Sequence, residues 1–289
     1  MLVVSHASLS LRLASLPRTF RRRRLRRIAG NIVDEALGGR LLRRMVFRSR
    51  FRRSLVSADP IYVFTMPKVG SKTIQHSLGA AWPGTVFHGH AFDPDIRDWQ
   101  VTALRRHFDS GGRLNVISLV RLPVSRNVSH FFQDLDDDDR ADMDRMPTTV
   151  QQARERFMQE YDHGFAERFF DRHFKENLGI DVYQHPFPEQ GHATFESGNV
   201  RLIMLKSELP DVGKSQAIAG FLGVDEFPIV NVNIGSQKRY SSLYSQFRKQ
   251  GNLDRRYVTE ICNSRYARHF YGDDELALES SRWCSSSDA

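Results

Sequence analysis

Apolar positions change period several times along the chain, and those changes divide it into elements. Ile61, Tyr62, Val63 and Phe64 form a short unbroken apolar run, the signature of a strand covered on both faces. Pro67 and Gly70 punctuate the run, and Ile74 and Leu78 then fall four apart on one face, predicting a helix over 71–78. Thr85 to His88 reads as a second strand, and Asp95 to Asp109 carries a helical stripe of Ile96, Trp99, Leu104 and Phe108, ending at Ser110, Gly111 and Gly112. Leu114 to Val120 is apolar and β-branched, a buried strand, and Pro123 opens the next helix through Val124, Val128 and Phe131.

Farther along, Thr148 to Leu178 is helical in period, with phenylalanines that read as a core stripe, and Asp181 to Phe187 suggests an edge hairpin. Arg201 to Lys206 is another buried strand. Val212 to Leu222 is a helix stopped by Gly223, and helices follow over Tyr240–Phe247 and Leu253–Phe270. Strands alternating with helices predict an α/β fold, a P-loop-like three-layer arrangement with a mainly parallel central sheet between helices.

Charge modifies this picture at the start of the chain. The 289 residues carry a formal net charge of +8, yet residues 1–55 hold fifteen arginines against Asp34 and Glu35, so the remainder is mildly acidic. Positive charge gathered ahead of the first strand points to an anionic partner surface, membrane or polyanion, and not to the chemistry of the core. Between Phe20 and Phe51 aliphatic residues recur at helical spacing among the arginines, which fits an amphipathic arm and fits a disordered basic leader equally. The expected organisation is a basic arm over 1–55, an α/β domain over 56–272 and a flexible tail over 273–289.

No apolar stretch is long enough for a transmembrane span. The first residues lack a positive region ahead of their apolar ones, which argues against a secretory signal, while an organellar transit peptide or a peripheral membrane helix fits; the compartment stays open. Cys262 and Cys284 have no metal-ligand neighbours in sequence and are expected to be free thiols. The run DLDDDDRADMD from Asp134 is too charged to pack and reads as a solvated loop or lid.

The chemistry concentrates at the first strand-to-helix turn, which holds Lys68, Gly70, Ser71, Lys72 and Thr73. A helix N-terminus has N–H groups that its own carbonyls do not use, so such a turn suits a phosphate or sulfate. Aligning Lys72 and Thr73 with the lysine and hydroxyl of a nucleotide P-loop puts Ser71 and Met66 where its two glycines belong, so the cradle differs in shape.

PKVGSKT after one strand and VRLPVSRNVS after another resemble the sulfotransferases that use 3′-phosphoadenosine 5′-phosphosulfate (PAPS), nearest in character to the carbohydrate and capsular-polysaccharide-related branch. The resemblance runs from Asp59 to Phe132 and, more faintly, over Arg201 to Phe247. It implies that Lys68, Gly70, Ser71, Lys72 and Thr73 hold the 5′-phosphosulfate, with Lys68 on the bridging oxygen, and that Arg121 and Ser129 hold the 3′-phosphate. It implies Lys238 and Arg239, beside Gly235, as a loop closing on the nucleotide. It also implies a hydroxyl acceptor, carbohydrate by branch, and no metal.

His88 and His90, in the sequence HGH at the end of the second strand, are the candidate bases, with His130 and Asp93 as further candidates for that role. Lys206 ends a strand on the edge where ligands bind in such sheets. Two other readings compete: a non-enzymatic module binding nucleic acid or another polyanion through the arginine arm, and a nucleotide-dependent kinase with an atypical P-loop.

Overall fold

The computed structural model describes residues 59–96, 98–138, 146–230 and 240–284, with backbone only at 136–138. The arginine-rich arm, Gly235, Lys238 and Arg239 lie outside the described residues.

Five strands build the sheet: β1 (Ile61–Phe64), β2 (Val86–Gly89), β3 (Leu114–Val120), β4 (His192–Ser197) and β5 (Val200–Lys206). Their order is β2-β1-β3-β5-β4. The first four in that order are parallel, and β4 runs antiparallel to β5 along the edge. Every residue of β1 and β3 is buried, as strands covered by helices on both faces require. The α/β reading of the sequence is therefore correct, with a mixed but mostly parallel sheet flanked by helices.

Connecting these strands are α1 (Ser71–Ala81), α2 (Trp99–Asp109) and α3 (Pro123–Asp138), then α4 (Val150–Glu160) and α5 (Phe165–Phe170); α6 (Asp211–Leu222) follows β5. After it come α7 (Ser241–Gln250), α8 (Arg255–Cys262), α9 (Arg265–Phe270) and α10 (Asp273–Trp283). Most phenylalanines of the long helical stretch are core, while Phe165 is half-exposed. Phe169, Phe170 and Phe174 are buried, and Phe64 of β1 stacks on Phe174 with ring centroids 5.0 Å apart.

Several boundaries differ from expectation, each for a local reason. The second helix starts at Trp99, not Asp95, because the Asp98 carboxylate accepts from the N–H groups of Gln100 and Val101 and caps it there. The acidic run is helical as far as Asp138, because Leu135 continues the buried stripe of Phe131 and Phe132 on α3. Residues 181–187 make turns, and the edge hairpin is β4–β5 instead. His192 to Ser197 is half-polar because β4 is an edge strand with a solvated side. The last predicted helix breaks between Cys262 and Arg265, where the Ser264 side chain caps α9.

The expected flexible tail is helix α10 as far as Trp283. Its composition is polar, but its inner face buries Leu276, Glu279 and Trp283. Glu279 accepts from the Ser125 N–H at 2.6 Å and from its hydroxyl at 3.1 Å, while Trp283 donates from Nε1 to the same hydroxyl. Helix α10 thus seats the N-terminal turn of α3, which follows directly from β3.

The path of the chain positions the site. It leaves β1 through α1 for β2 on one side, then crosses through α2 to β3 on the other, so the connections diverge at the C-terminal ends of β1 and β3. In open α/β sheets that divergence leaves a crevice for a ligand.

Candidate functional site

Three loops meet at this crevice. The turn after β1 holds Lys68 at φ 69° and Gly70 at φ 86°, both left-handed. A non-glycine residue there is strained by about 1–2 kcal/mol, and two such residues in three turn the chain sharply into α1. No side chain caps α1, and its first turn carries no acid, so its N–H groups and the Lys72 ammonium face the loop without a competing carboxylate on the helix.

Arg121, the first residue beyond β3, supports the turn. Its guanidinium donates to the Lys68 carbonyl at 2.8 Å, bonding the two sequence motifs directly to each other. The Arg121 backbone is held in turn by the Tyr266 hydroxyl, which accepts from the Arg121 N–H at 3.0 Å and donates to its carbonyl at 2.7 Å. Glu208 takes the N–H of Leu122. Ser129 is buried two turns into α3.

The third loop brings in both histidines, their rings 5.0 Å apart and edge-on. The glycine between them is required, because a Cβ on Gly89 would lie 2.5 Å from the Tyr62 hydroxyl, which reaches past it to the Ala91 carbonyl. The two rings have different tautomers. His88 places Nδ1 3.5 Å from the Lys72 ammonium, which can only donate, and Nε2 2.8 Å from Ser71 Oγ. Its proton therefore sits on Nε2 and points at Ser71, leaving the serine's own hydroxyl proton to turn toward a ligand. His90 has the opposite arrangement. Nδ1 lies 2.7 Å from the Thr65 carbonyl, which only accepts, so Nδ1 carries the proton and Nε2 a lone pair.

Burial holds both rings neutral. It pushes the His88 pKa down to about 3, with Lys72 and His90 adding to the effect. It also lowers His90, against the opposing pull of the Thr65 carbonyl.

Sequence reasoning passed over Arg126. It is wholly buried, and its hydrogen bonds go to neutral groups: NH1 donates to Tyr161 Oη at 2.8 Å and to Asn127 Oδ1 at 3.0 Å, and NH2 reaches His130 Nδ1 at 3.4 Å. Phe165 lies under the guanidinium, 4.4 Å from its ring centre. The Tyr161 hydroxyl donates a hydrogen bond to His130 Nδ1 at 3.0 Å, and burial with Arg126 lowers the His130 pKa to about 3. The available signal was spacing, since Arg126 and His130 are one helical turn apart.

Asp93 accepts from Arg172 at 3.2 Å and lies 3.5 Å from His173, away from the histidine pair's own hydrogen bonds. Lys206 is buried in an ion pair with Glu275 at 2.6 Å and lies over Tyr271, so a local carboxylate answers its charge. Both cysteines are free, and burial raises the Cys262 thiol to about 11. Among the described residues, no group of three or more His, Cys, Asp and Glu is placed to hold a metal ion, and no helix is long and apolar enough to cross a membrane.

The buried histidines make stability depend on pH. His88 and His130 have folded pKa values near 3, whereas a histidine in the unfolded chain takes its proton near 6.5. The unfolded state therefore binds more protons as pH falls, and stability is lost progressively from about pH 6.5 toward pH 3. Urea melts across that range should show the loss. A His130→Gln variant should show a shallower dependence on pH than the parent protein.

A family model described as NKWYS, putative capsular polysaccharide synthesis protein, matches residues 138–272. The match takes in α4 to α9 and strands β4 and β5, and begins after the Lys68–Thr73 turn and Arg121. No curated protein and no solved structure matches the chain. The comparisons thus associate the C-terminal half with capsular-polysaccharide proteins.

Proposed function

We propose that the protein transfers a sulfuryl group from PAPS to a hydroxyl of a carbohydrate. The observation that carries this reading is the hydrogen bond from Arg121 to the Lys68 carbonyl, which brings the turn suited to a 5′-phosphosulfate beside the residue expected to meet the 3′-phosphate. A single nucleotide with phosphates at both ends of its ribose would fill both. The family model supports the carbohydrate acceptor by its description, and a fold whose crevice lies at the ends of β1 and β3 is a suitable frame for the donor.

In this mechanism the N–H groups of α1 with Ser71, Lys72 and Thr73 hold the phosphosulfate, and Lys68 meets the oxygen bridging sulfur and phosphorus. His90 Nε2 takes the proton of the acceptor hydroxyl. The acceptor oxygen forms its bond to sulfur from the side opposite the bridging oxygen. The S–O bond to the phosphate breaks, and its electron pair leaves with adenosine bisphosphate, where Lys68 offsets the growing charge. His88 holds Ser71 and leaves the proton transfer to its neighbour.

Binding distinguishes this site from a kinase site and from a polyanion-binding arm. Titrated without magnesium, the protein should prefer 3′,5′-adenosine bisphosphate to 5′-AMP by at least about tenfold, the range of a charge-assisted hydrogen bond. That preference should survive deletion of residues 1–55 and should disappear in Arg121→Ala. Binding that required magnesium and ATP, or that vanished with the arm alone, would refute the reading.

A further inference from the structure

We propose that the cavity between α3, α4 and the start of α5 is the acceptor subsite and takes an uncharged saccharide. As an acceptor site it rests on the sulfuryl-transfer reading; as a sugar site it can be tested by itself. The cavity measures about 310 Å³, at the lower end of the range for small-ligand sites, and is lined by His130, Asp134, Glu160, Tyr161, Asp162 and Phe165 among others.

Its chemistry suits a polyhydroxylated ring. Asp134, Glu160 and Asp162 present carboxylate oxygens, which accept from hydroxyls. Tyr161 and Phe165 present half-exposed aromatic surface for the apolar face of a sugar. The donor comes from His130. Its Nδ1 lies 3.0 Å from the Tyr161 hydroxyl and 3.4 Å from both Arg126 NH2 and Asp134 Oδ2. Since Arg126 can only donate and Tyr161 Oη already takes an Arg126 N–H, Nδ1 accepts and the neutral ring carries its proton on Nε2, with that N–H to give a sugar oxygen.

Two arginines near this cavity are already engaged with its carboxylates, while Arg126 is wholly buried behind the wall. Arg156 pairs with Glu160 at 2.9 Å and Arg168 with Asp162 at 2.5 Å. An acidic sugar would meet three carboxylates, two of them already paired with these arginines, whereas a neutral one meets hydrogen-bond acceptors. Arg126 sets the inner wall through Tyr161 and His130. His130 and Arg126 stand on α3, the helix that follows β3 and Arg121, so the same helix leads from the crevice to the cavity.

The test is amide chemical-shift mapping on the full chain with glucose, N-acetylglucosamine and glucuronic acid, each in millimolar excess. At least one neutral sugar should give saturating shifts concentrated at residues 130–135 and 160–165, with glucuronic acid at least about tenfold weaker. Glu160→Gln should weaken that binding about tenfold, the loss of a charged acceptor. Phe165→Ala should abolish it, each variant keeping the parent's affinity for 3′,5′-adenosine bisphosphate as the control for folding. No shift with either neutral sugar, shifts centred elsewhere, or equal binding of glucuronic acid would overturn the proposal. Sugar binding at these residues in a protein that ignores the bisphosphate would sink the donor reading and leave the sugar site standing.

Discussion

Lys68→Ala should reduce sulfuryl transfer by about 10²–10³-fold with little change in donor affinity, the size of effect expected when a group meeting transition-state charge is removed. The bridging oxygen gains negative charge only as the S–O bond breaks, so the ammonium contributes mainly to the rate. The backbone complicates a single substitution, because Lys68 is left-handed at φ 69° and its carbonyl is the acceptor for Arg121. A Lys68→Gly variant separates the two contributions. Glycine adopts that conformation without strain, so a glycine variant as inactive as the alanine one assigns the loss to the ammonium. Recovery of activity in Lys68→Gly would instead place the loss in the turn. Single-turnover assays with labelled donor provide the readout.

His90→Asn should lower kcat by about 10²–10⁴-fold, the range for removing a general base. Asparagine can keep the hydrogen bond that Nδ1–H makes to the Thr65 carbonyl while removing the Nε2 lone pair, so the loop stays seated and only the proton acceptor is lost. His88→Gln should behave differently. Its amide can still donate to Ser71 as Nε2 does, and donor affinity and kcat should both stay within about tenfold of the parent, whereas His88→Ala should chiefly raise the KM for donor. A pH profile gives independent evidence. Burial lowers the His90 pKa, so the acid limb of kcat should lie below the ordinary histidine range, near 6.5, and should be missing in His90→Asn. Equal loss of kcat in His88→Gln and His90→Asn would show that the assignment of the base is wrong.

The legible and illegible parts of the site differ in how local their causes are. The turn after β1 could be read because a strand, a punctuating glycine and an amphipathic helix are contiguous, and β1 and α1 appear where the pattern puts them. The pairing of Lys68 with Arg121 could not, because it depends on β1 and β3 being neighbours in the sheet despite β2 lying between them in sequence. Arg126 is one polar residue among several at the start of α3. Only its complete burial against Tyr161, His130 and Phe165, the last contributed from across the break between α4 and α5, gives it a role.

The end of the chain was misread for a related reason. A segment as polar as Asp273 to Trp283 has too weak an apolar stripe to announce itself, and its helix is held by Glu279 and Trp283 against Ser125, more than 150 residues away. By itself the sequence determined four of the five strands, most of the helices, the α/β class and the turn after Ile61–Phe64, because hydrophobic period and glycine placement are local properties of the chain. Tertiary structure decided which loops share the crevice, which histidine nitrogen carries a proton, and where buried Arg126 finds its partners. Those outcomes depend on contacts between distant segments and on the loss of solvent around them, neither of which is written in the spacing of residues along a chain.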